Sequence, residues 1–320
     1  MEACHSPEQS NVTSYAATAV AIVTLETFAG MWINAFIVSV ICMVWVKRKT
    51  LNSNEKILLV LGCSRFWFLC ISWVYSIFLI FYPNHLYVHP IFQLLDSAQS
   101  FFKCSNLWLS ASLCVFYCIK IANFRNSFFI YLKGKIDRIV PCLLLGSVLF
   151  SLVMGITVYN ITDKALSQNL NFTCQGRISK ASIRIDQHFL PYYFIIGFGH
   201  ATSFTAVITS AILLLFSLWR HKRNMQTNST KDLSMDAHIK AMKSILSFFI
   251  MYSINFICLI LILIYSMRNE SDAIFLIFLI QYTFPGFHSL VPIFSNPNLE
   301  KRLLGILPCG KCKVFLKREL

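Results

Sequence analysis

The sequence predicts an all-α membrane protein: a seven-transmembrane helix bundle with the N-terminus outside and the C-terminus inside. Hydrophobic residues make up 56% of the 320-residue chain and charged residues only 13%, whereas soluble domains carry about 25% charged residues. Seven long apolar stretches divide the chain, each reaching the roughly 20 residues that a helix needs to cross a bilayer. Because lipid offers no partner to the backbone, these stretches must be helices.

We name the apolar stretches span 1 to span 7 in chain order. A polar, acidic tail at residues 1–14 precedes them, and a basic tail at residues 296–320 follows. The N-terminal tail lacks the basic segment of a signal peptide, so we expect span 1 to act as its own insertion signal. The spans are Tyr15–Val46, Ile57–Tyr82, Ile91–Ile119, Ile139–Tyr159, Phe189–Leu218, Ser244–Met267 and Ala273–Ser295.

The distribution of Lys and Arg predicts the orientation. Residues 46–56, 120–138, 219–243 and the tail after 296 carry 4, 5, 6 and 6 of them, or 21 of the 28 in the chain. The N-terminal tail and residues 81–90, 160–188 and 268–272 carry 0, 0, 4 and 1. Loops rich in Lys and Arg stay in the cytoplasm, so the second set faces outward. A cationic surface divided among four separate segments does not favour a nucleic-acid partner.

The twelve cysteines do not indicate a disulfide scaffold, because eight of them lie inside spans, where seven are expected to act as small apolar residues. Cys4 and Cys174 lie on the predicted outer side, whereas Cys104 lies deep in span 3. The sequence leaves a bridge between any of these three open. Cys309 and Cys312 in the inner tail lack further zinc ligands, so lipidation or free thiols are expected there.

Four Asn-x-Ser/Thr sequons lie on the predicted outer side, at Asn11, Asn160, Asn171 and Asn269. Three of them are close to the membrane. Asn171 lies in the middle of the longest outer connection, so we predict a glycan there.

Span 3 carries a run of polar residues at helical spacing: Asp96, Gln99, Ser100 and Lys103. The spacing i, i+3, i+4, i+7 places all four on one face of the helix. Such a face either holds helices together through an internal ion pair or lines a ligand pocket. We favour the pocket, because ionisable residues inside a membrane are usually functional. The nearest partner in sequence for the Lys103 ammonium is Asp96.

Further polar residues lie deeper in the other spans. Glu26 and Asn34 are in span 1, Arg65 is near the middle of span 2, and His288 and Ser289 are in span 7. The sequence predicts that Asn34, Arg65, His288 and Ser289 form a hydrogen-bonded network between helices. A polar network with two arrangements can act as a switch.

The sequence carries no catalytic or metal-binding signature and gives no indication of a cofactor. It lacks the helical zinc motif, the nucleophile elbow and a phosphate-binding glycine loop. Span 7 has no lysine, which excludes a retinal Schiff base of the usual kind. A transporter of six or seven helices is an alternative, although the two halves show no repeat.

Residues near the inner ends of the spans form specific motifs. They are Glu26-x-x-x-Gly30-x-x-x-Asn34-Ala-Phe-Ile37, Leu58-Leu-Val-Leu-Gly-Cys-Ser-Arg65, Trp108-x-x-x-Ser-Leu-x-x-Phe116-Tyr-x-x-Lys120-Ile-Ala-Asn-Phe124, Ser217-Leu-Trp-Arg-His221-x-x-x-Met225, Ala237-His-Ile-Lys-Ala241 and His288-Ser289 with Asn296 beyond. Together they resemble the type 2 (bitter) taste receptors, a family of G-protein-coupled receptors, over nearly the whole chain. The motifs typical of rhodopsin-like receptors, Asp-Arg-Tyr and Asn-Pro-x-x-Tyr, are absent.

The resemblance implies a multi-pass receptor of the plasma membrane that acts in sensory transduction. A small-molecule agonist would bind between spans 3, 5, 6 and 7, and the inner helix ends would admit a heterotrimeric G protein of the gustducin or inhibitory type. The resemblance is also compatible with a receptor that forms homo- or hetero-oligomers. The implied ligand-binding residues are Asp96, Gln99, Ser100, Lys103, Tyr192, Asn255, Leu259, Phe278 and Gln281. The implied G-protein side comprises Tyr117, Lys120, His221, His238 and Lys240.

The chain departs from the family pattern in two places. Gln99 and Lys103 stand where many members have Trp and Asn, which predicts a ligand range shifted toward acidic or strongly hydrogen-bond-accepting compounds. Pro292, Asn298 and Glu300 also differ from the usual Leu, Lys and Lys. Besides the transporter or channel, a pheromone-type receptor of a neighbouring family is an alternative that would share the helices but lack the motif from Ser217 to Met225.

Overall fold

The computed structural model describes residues 8–86, 88–122, 126–173, 190–225, 233–267, 277, 280–281, 284–286, 288–295 and 297–306, and these residues form helices and short connections without any strand. The helices are α1 Glu8–Arg48, α2 Ser53–Phe81, α3 Pro83–Leu86, α4 Ile91–Ile121, α5 Ser127–Thr173, α6 Leu190–Met225, α7 Leu233–Met267, α8 Leu290–Ser295 and α9 Pro297–Ile306. Spans 1 to 6 correspond to α1, α2, α4, α5, α6 and α7.

Six of these helices are long and apolar enough to cross a membrane over residues 20–48, 53–81, 91–121, 127–164, 197–217 and 245–262. Span 7 is described in part, and it ends in α8. The all-α membrane fold predicted from the sequence is therefore confirmed, whereas the orientation of the termini stays a prediction.

Several helices are longer than the apolar stretches that predicted them. Helix α5 covers residues 127–173 instead of 139–159, α1 begins at Glu8, and α6 and α7 extend into the predicted inner connection. Hydropathy marks the part of a helix that lipid can surround, but backbone hydrogen bonding continues into polar flanks. As a result, Asn171 lies in the last turn of α5 and not in the middle of a loop.

Helix α2 begins with a capping box that fixes the turn after α1. The backbone N–H of Asn52 donates to Glu55 Oε2 at 2.9 Å, and the Asn52 side chain caps the third helical residue in return. Such reciprocal bonds satisfy backbone donors that have no partner within the helix. The turn therefore holds the cationic segment from Lys47 to Lys49 at the predicted inner face.

Helix α4 is the central helix of the bundle, because it packs against α2, α5, α6 and α7. Its inner half supplies the core residues Leu109, Leu113 and Cys114, none of which has solvent-exposed area. Large apolar side chains on the other helices face outward, among them Leu25 and Phe216. An apolar exterior around a partly polar centre is the arrangement that a bilayer requires.

Two glycines let span 7 pack closely against α1. A Cβ added at Gly30 would lie 2.8 Å from Leu69 Cδ1 and 3.1 Å from Gly286 Cα, and one added at Gly286 would lie 3.0 Å from Gly30 Cα. Small residues at such contacts allow two backbones to approach. The contact brings Ser289, three residues after Gly286, next to Asn34 on α1.

Candidate functional site

A buried guanidinium is the centre of a polar network in the middle of the bundle. Arg65 on α2 is 2% exposed. Its Nη1 donates to Ser289 Oγ at 3.0 Å, and its Nη2 donates to Ser110 Oγ at 3.2 Å and to His288 Nδ1 at 2.8 Å. Because a guanidinium only donates, Nδ1 must accept, which places the His288 proton on Nε2. The three partners connect α2 with α4 and span 7.

The network continues to α1 through Ser289. Its hydroxyl lies 2.8 Å from Asn34 Oδ1 and 2.7 Å from the Pro285 carbonyl oxygen, each of which can accept its proton. Asn34 Nδ2 in turn donates to the Gly30 carbonyl at 2.8 Å. The structure thus brings together all four residues predicted as a switch network: Asn34, Arg65, His288 and Ser289.

A cavity lies beside this network, between α2, α4, α6, α7 and span 7. The described residues that line it are Arg65, Phe68, Lys103, Asn106, Leu107, Ser110, His200, Met251, Asn255, Gln281, Phe284 and Pro285. Its volume is about 40 Å³, far below the roughly 300–1,000 Å³ of drug-sized ligand sites. A ligand of that size would require the helices around the cavity to separate.

Lys103 points into this cavity and donates to Gln281 Oε1 on span 7 at 3.3 Å. The predicted direct contact between Lys103 and Asp96 is wrong, although the two charged groups still interact electrostatically at longer range. Asp96 Oδ2 accepts instead from Thr162 on α5 at 3.1 Å. Seven residues of helix separate the two charges by about 10 Å along the axis, so neighbouring helices offer nearer partners than the same helix does.

The predicted polar face of span 3 is divided among three neighbours. Asp96 faces α5, Gln99 Nε2 donates to Ser72 on α2 at 3.3 Å, and Lys103 faces span 7. Lys103 is the one residue of the four that belongs to the described lining of the cavity. Asp96, Gln99 and Ser100 precede it on α4, toward the predicted outer end of the helix. Helices surround α4, so each side of the polar face has a different partner.

The other predicted ligand-binding residues lie on α6, α7 and span 7. Asn255 and Gln281 line the cavity together with Lys103. Tyr192 belongs to α6 and Leu259 to α7, but their side chains are outside the described part of the structure, as is the whole of Phe278.

At the predicted inner end, a cleft of about 600 Å³ separates the start of α2 from the end of α4. Tyr117 Oη donates to Asn54 Oδ1 at 3.1 Å, and Lys120 Nζ donates to Asp137 Oδ2 at 2.7 Å. Both Tyr117 and Lys120 line the cleft. His221 belongs to α6 and His238 and Lys240 to α7, and their side chains lie outside the described residues.

Three polar residues of the site did not follow from the sequence: Asn106 and His200, which line the cavity, and Ser110, which also binds Arg65. Asn106 and Ser110 follow Lys103 at i+3 and i+7, so the helical spacing of the polar face already contained the signal. Both residues therefore lie on the inward continuation of the polar face beyond Lys103. No comparable pattern marks His200.

Comparison with known proteins supports the family resemblance. The taste receptor protein family (TAS2R) matches residues 12–311. Taste receptor type 2 member 40 of Gallus gallus is 34% identical over 293 residues, covering 89% of this chain and 93% of that protein. Taste receptor type 2 member 14 of Gorilla gorilla gorilla is 31% identical and covers 89% and 90%. Taste receptor type 2 member 9 of Papio hamadryas is 29% identical and covers 92% and 94%.

The matches to relatives cover about nine-tenths of the chain, and the family match over residues 12–311 includes every motif that carried the resemblance, from Glu26 to Asn296. They favour a receptor over an enzyme, a transporter or a channel. The chain belongs to the taste receptor protein family, TAS2R, as a multi-pass membrane protein.

Proposed function

We propose that this chain is a G-protein-coupled chemosensory receptor of the plasma membrane that binds small, bitter-tasting molecules in the cavity beside Lys103. The observation that carries the proposal is the position of Arg65. This residue lines the cavity and donates hydrogen bonds to Ser110, His288 and Ser289. A molecule in the cavity therefore contacts the group that joins the transmembrane helices.

The first step is the exchange of a contact at Lys103. An agonist that accepts a hydrogen bond from the ammonium competes with Gln281 Oε1, which now accepts it at 3.3 Å. Gln281 is on span 7, four residues before Pro285 and eight before Ser289. Release of Gln281 frees the outer part of span 7 to move relative to α4, and the narrow cavity can widen.

The second step couples that movement to the Arg65 network. His288 and Ser289 are on span 7, so its displacement strains their bonds to Arg65 and to Asn34. A ligand shifts such an equilibrium only by its difference in affinity for the two arrangements. Moving the population from 1:99 to 99:1 takes a difference of about 5.5 kcal/mol.

The ligand class follows from the charges of the cavity. Arg65 and Lys103 line it, and its described lining includes no carboxylate. Hydrogen bonds to charged groups contribute about 1.5–3 kcal/mol each. The cavity therefore favours acidic molecules or strong hydrogen-bond acceptors. This agrees with the ligand range predicted from Lys103, which stands where many family members have Asn.

The inner cleft is the proposed contact for a G protein of the gustducin or inhibitory type. Lys56 and Lys120 line it, and Lys47, Arg48 and Lys49 follow the end of span 1 nearby. A cationic surface attracts an acidic partner surface and speeds its association. His221, His238 and Lys240 extend this proposed surface onto α6 and α7.

Ligand-stimulated nucleotide exchange tests the proposal. The full-length chain is expressed with a gustducin-type heterotrimer and exposed to a broad panel of acidic and neutral bitter compounds. We expect at least one compound to accelerate guanine-nucleotide exchange in a concentration-dependent manner, and the same membranes without receptor to show none. Ligand accumulation or ion current without nucleotide exchange would contradict the proposal and support a transporter or channel.

A further inference from the structure

The described lining of the cavity carries a net positive charge. Two of its described lining residues are cationic, Arg65 and Lys103, and none is acidic. The ion pairs of the described residues lie elsewhere, at Arg48–Glu55, His89–Asp163 and Lys120–Asp137. The described hydrogen-bond partners of Arg65 and Lys103 are neutral hydroxyl, imidazole and amide groups. The Asp96 carboxylate also interacts electrostatically with Lys103, but it lies outside the described lining and accepts a hydrogen bond from Thr162.

Such a charge is costly in the middle of a membrane protein. A guanidinium stays protonated in proteins, so Arg65 cannot escape the penalty by losing its proton. Burial of charged groups that are not fully compensated by opposite charges costs free energy. The fold therefore gains stability from any anion that can reach the cavity.

Gln281 supplies a donor that faces the same space. Its side chain is 6% exposed, its Oε1 accepts from Lys103, and its Nε2 is buried without a hydrogen-bond partner. A buried N–H donor without an acceptor destabilises the folded state. The amide orientation that suits Lys103 leaves the NH₂ group of Gln281 for a further acceptor in the cavity.

The volume limits the size of that acceptor. A cavity of about 40 Å³ has room for a few water molecules, because one water needs roughly 10–15 Å³ of cavity volume. A chloride ion is only slightly larger than a water molecule and fits. Gluconate and other polyatomic organic anions do not fit unless the helices separate.

We propose that this cavity is a binding site for a monatomic anion, chloride under physiological conditions, held by Arg65, Lys103 and the Gln281 amide. The bound anion neutralises the centre of the bundle in the receptor without agonist. The site requires neither a G protein nor an agonist, so a failure of the proposed signalling function would leave it unaffected.

Anion exchange on the purified full-length receptor in detergent tests the proposal. Sodium chloride is replaced by sodium gluconate at constant ionic strength, and a thiol-reactive dye reports unfolding through the fully buried Cys114. We expect chloride to raise the unfolding midpoint saturably by about 3 °C or more, because ligand binding stabilises the native state. Bromide should act like chloride. Equal midpoints in chloride and gluconate would overturn the proposal.

Two substitutions locate the site. Lys103→Gln removes one cation and should reduce the chloride-dependent shift at least by half, whereas Lys164→Gln, which alters an exposed lysine on α5, should retain all of it. Gln281→Glu places a carboxylate beside Lys103. This variant should unfold at the same midpoint in chloride and in gluconate. Its midpoint in gluconate should be close to that of the unaltered receptor in chloride. An unchanged chloride dependence in both cavity variants would refute the assignment.

A direct readout covers the case in which a variant does not fold. The unaltered receptor should broaden the ³⁵Cl resonance of free chloride, and added bromide should reverse the broadening by competition. Absence of broadening by the folded receptor would contradict the proposal, whatever the variants do.

Discussion

Arg65 on α2 and Ser289 on span 7 are joined by a hydrogen bond of 3.0 Å at the centre of the bundle. The Ser289 hydroxyl also has acceptors in Asn34 and the Pro285 carbonyl. One hydroxyl therefore connects α1 and α2 to span 7, directly below the cavity that contains Lys103.

Ser289→Ala should lower the free energy of unfolding by about 1.5–3 kcal/mol, because it removes an acceptor of a buried charge. The corresponding fall of the thermal midpoint is about 3–10 °C. Thermal unfolding of the purified receptor measures it. Thr202→Ala on α6 is the control, because that hydroxyl is bonded within its own helix. Equal midpoints for the two variants would contradict the role of Ser289.

The contact between Gly30 and Gly286 should not accommodate a methyl group. Gly30→Ala places a Cβ within 2.8 Å of Leu69 Cδ1 and 3.1 Å of the Gly286 backbone. We expect a destabilisation of about 1–3 kcal/mol, as for other overpacked sites. Gly134→Ala is the matched control, since nothing lies within 4 Å of its Cβ. If both variants unfold at the temperature of the parent, span 7 does not pack on α1 in this way.

Lys103→Ala should change which compounds activate the receptor without abolishing surface expression. Loss of a charged hydrogen bond worth about 1.5–3 kcal/mol lowers the potency of acidic agonists roughly tenfold or more. Neutral, apolar agonists should keep their potency within a factor of about three. A calcium assay across a ligand panel measures the ranking. An unchanged ranking of acidic and neutral compounds would refute the role of Lys103 in recognition.

Lys120 and Asp137 allow a matched test of the inner surface. Their side chains are 48% and 55% exposed, so the ion pair contributes at most about 1 kcal/mol to stability. Lys120→Gln and Asp137→Asn both remove it, and each should lower the thermal midpoint by no more than about 2–4 °C. If Lys120 contacts the G protein, Lys120→Gln alone should lower agonist-stimulated nucleotide exchange. An equal loss in both variants would assign the effect to the ion pair itself.

Asn171 provides a test of orientation. We expect Asn171→Gln to remove a shift in gel mobility that is sensitive to an endoglycosidase, because the predicted outer face meets the glycosylation machinery. Asn228 is part of a further Asn-x-Ser/Thr sequon, in the predicted cytoplasmic connection, so Asn228→Gln should leave mobility unchanged. A glycan at Asn228, or an N-terminal epitope accessible only after permeabilisation, would reverse the predicted topology.

The sequence by itself determined the class of the fold and the residues of its polar centre. Hydropathy located the spans, because the bilayer requires about 20 apolar residues per crossing. The cost of polar groups in lipid marked Asn34, Arg65, His288 and Ser289 as residues that must face one another. Those four form the observed network. Helix lengths were underestimated, since α5 extends to Thr173 where the flanks are polar.

Only the tertiary structure decided which partner each polar group takes. Helical spacing predicts the face on which Asp96 and Lys103 lie, but it does not show which helix is opposite each part of that face. In the folded bundle Asp96 bonds to Thr162 and Lys103 to Gln281, 66 and 178 residues away in sequence. The packing of the helices decides which of these side chains come within hydrogen-bonding distance of each other. The pairing, and with it the net positive charge of the described cavity lining, is therefore a property of the assembled bundle.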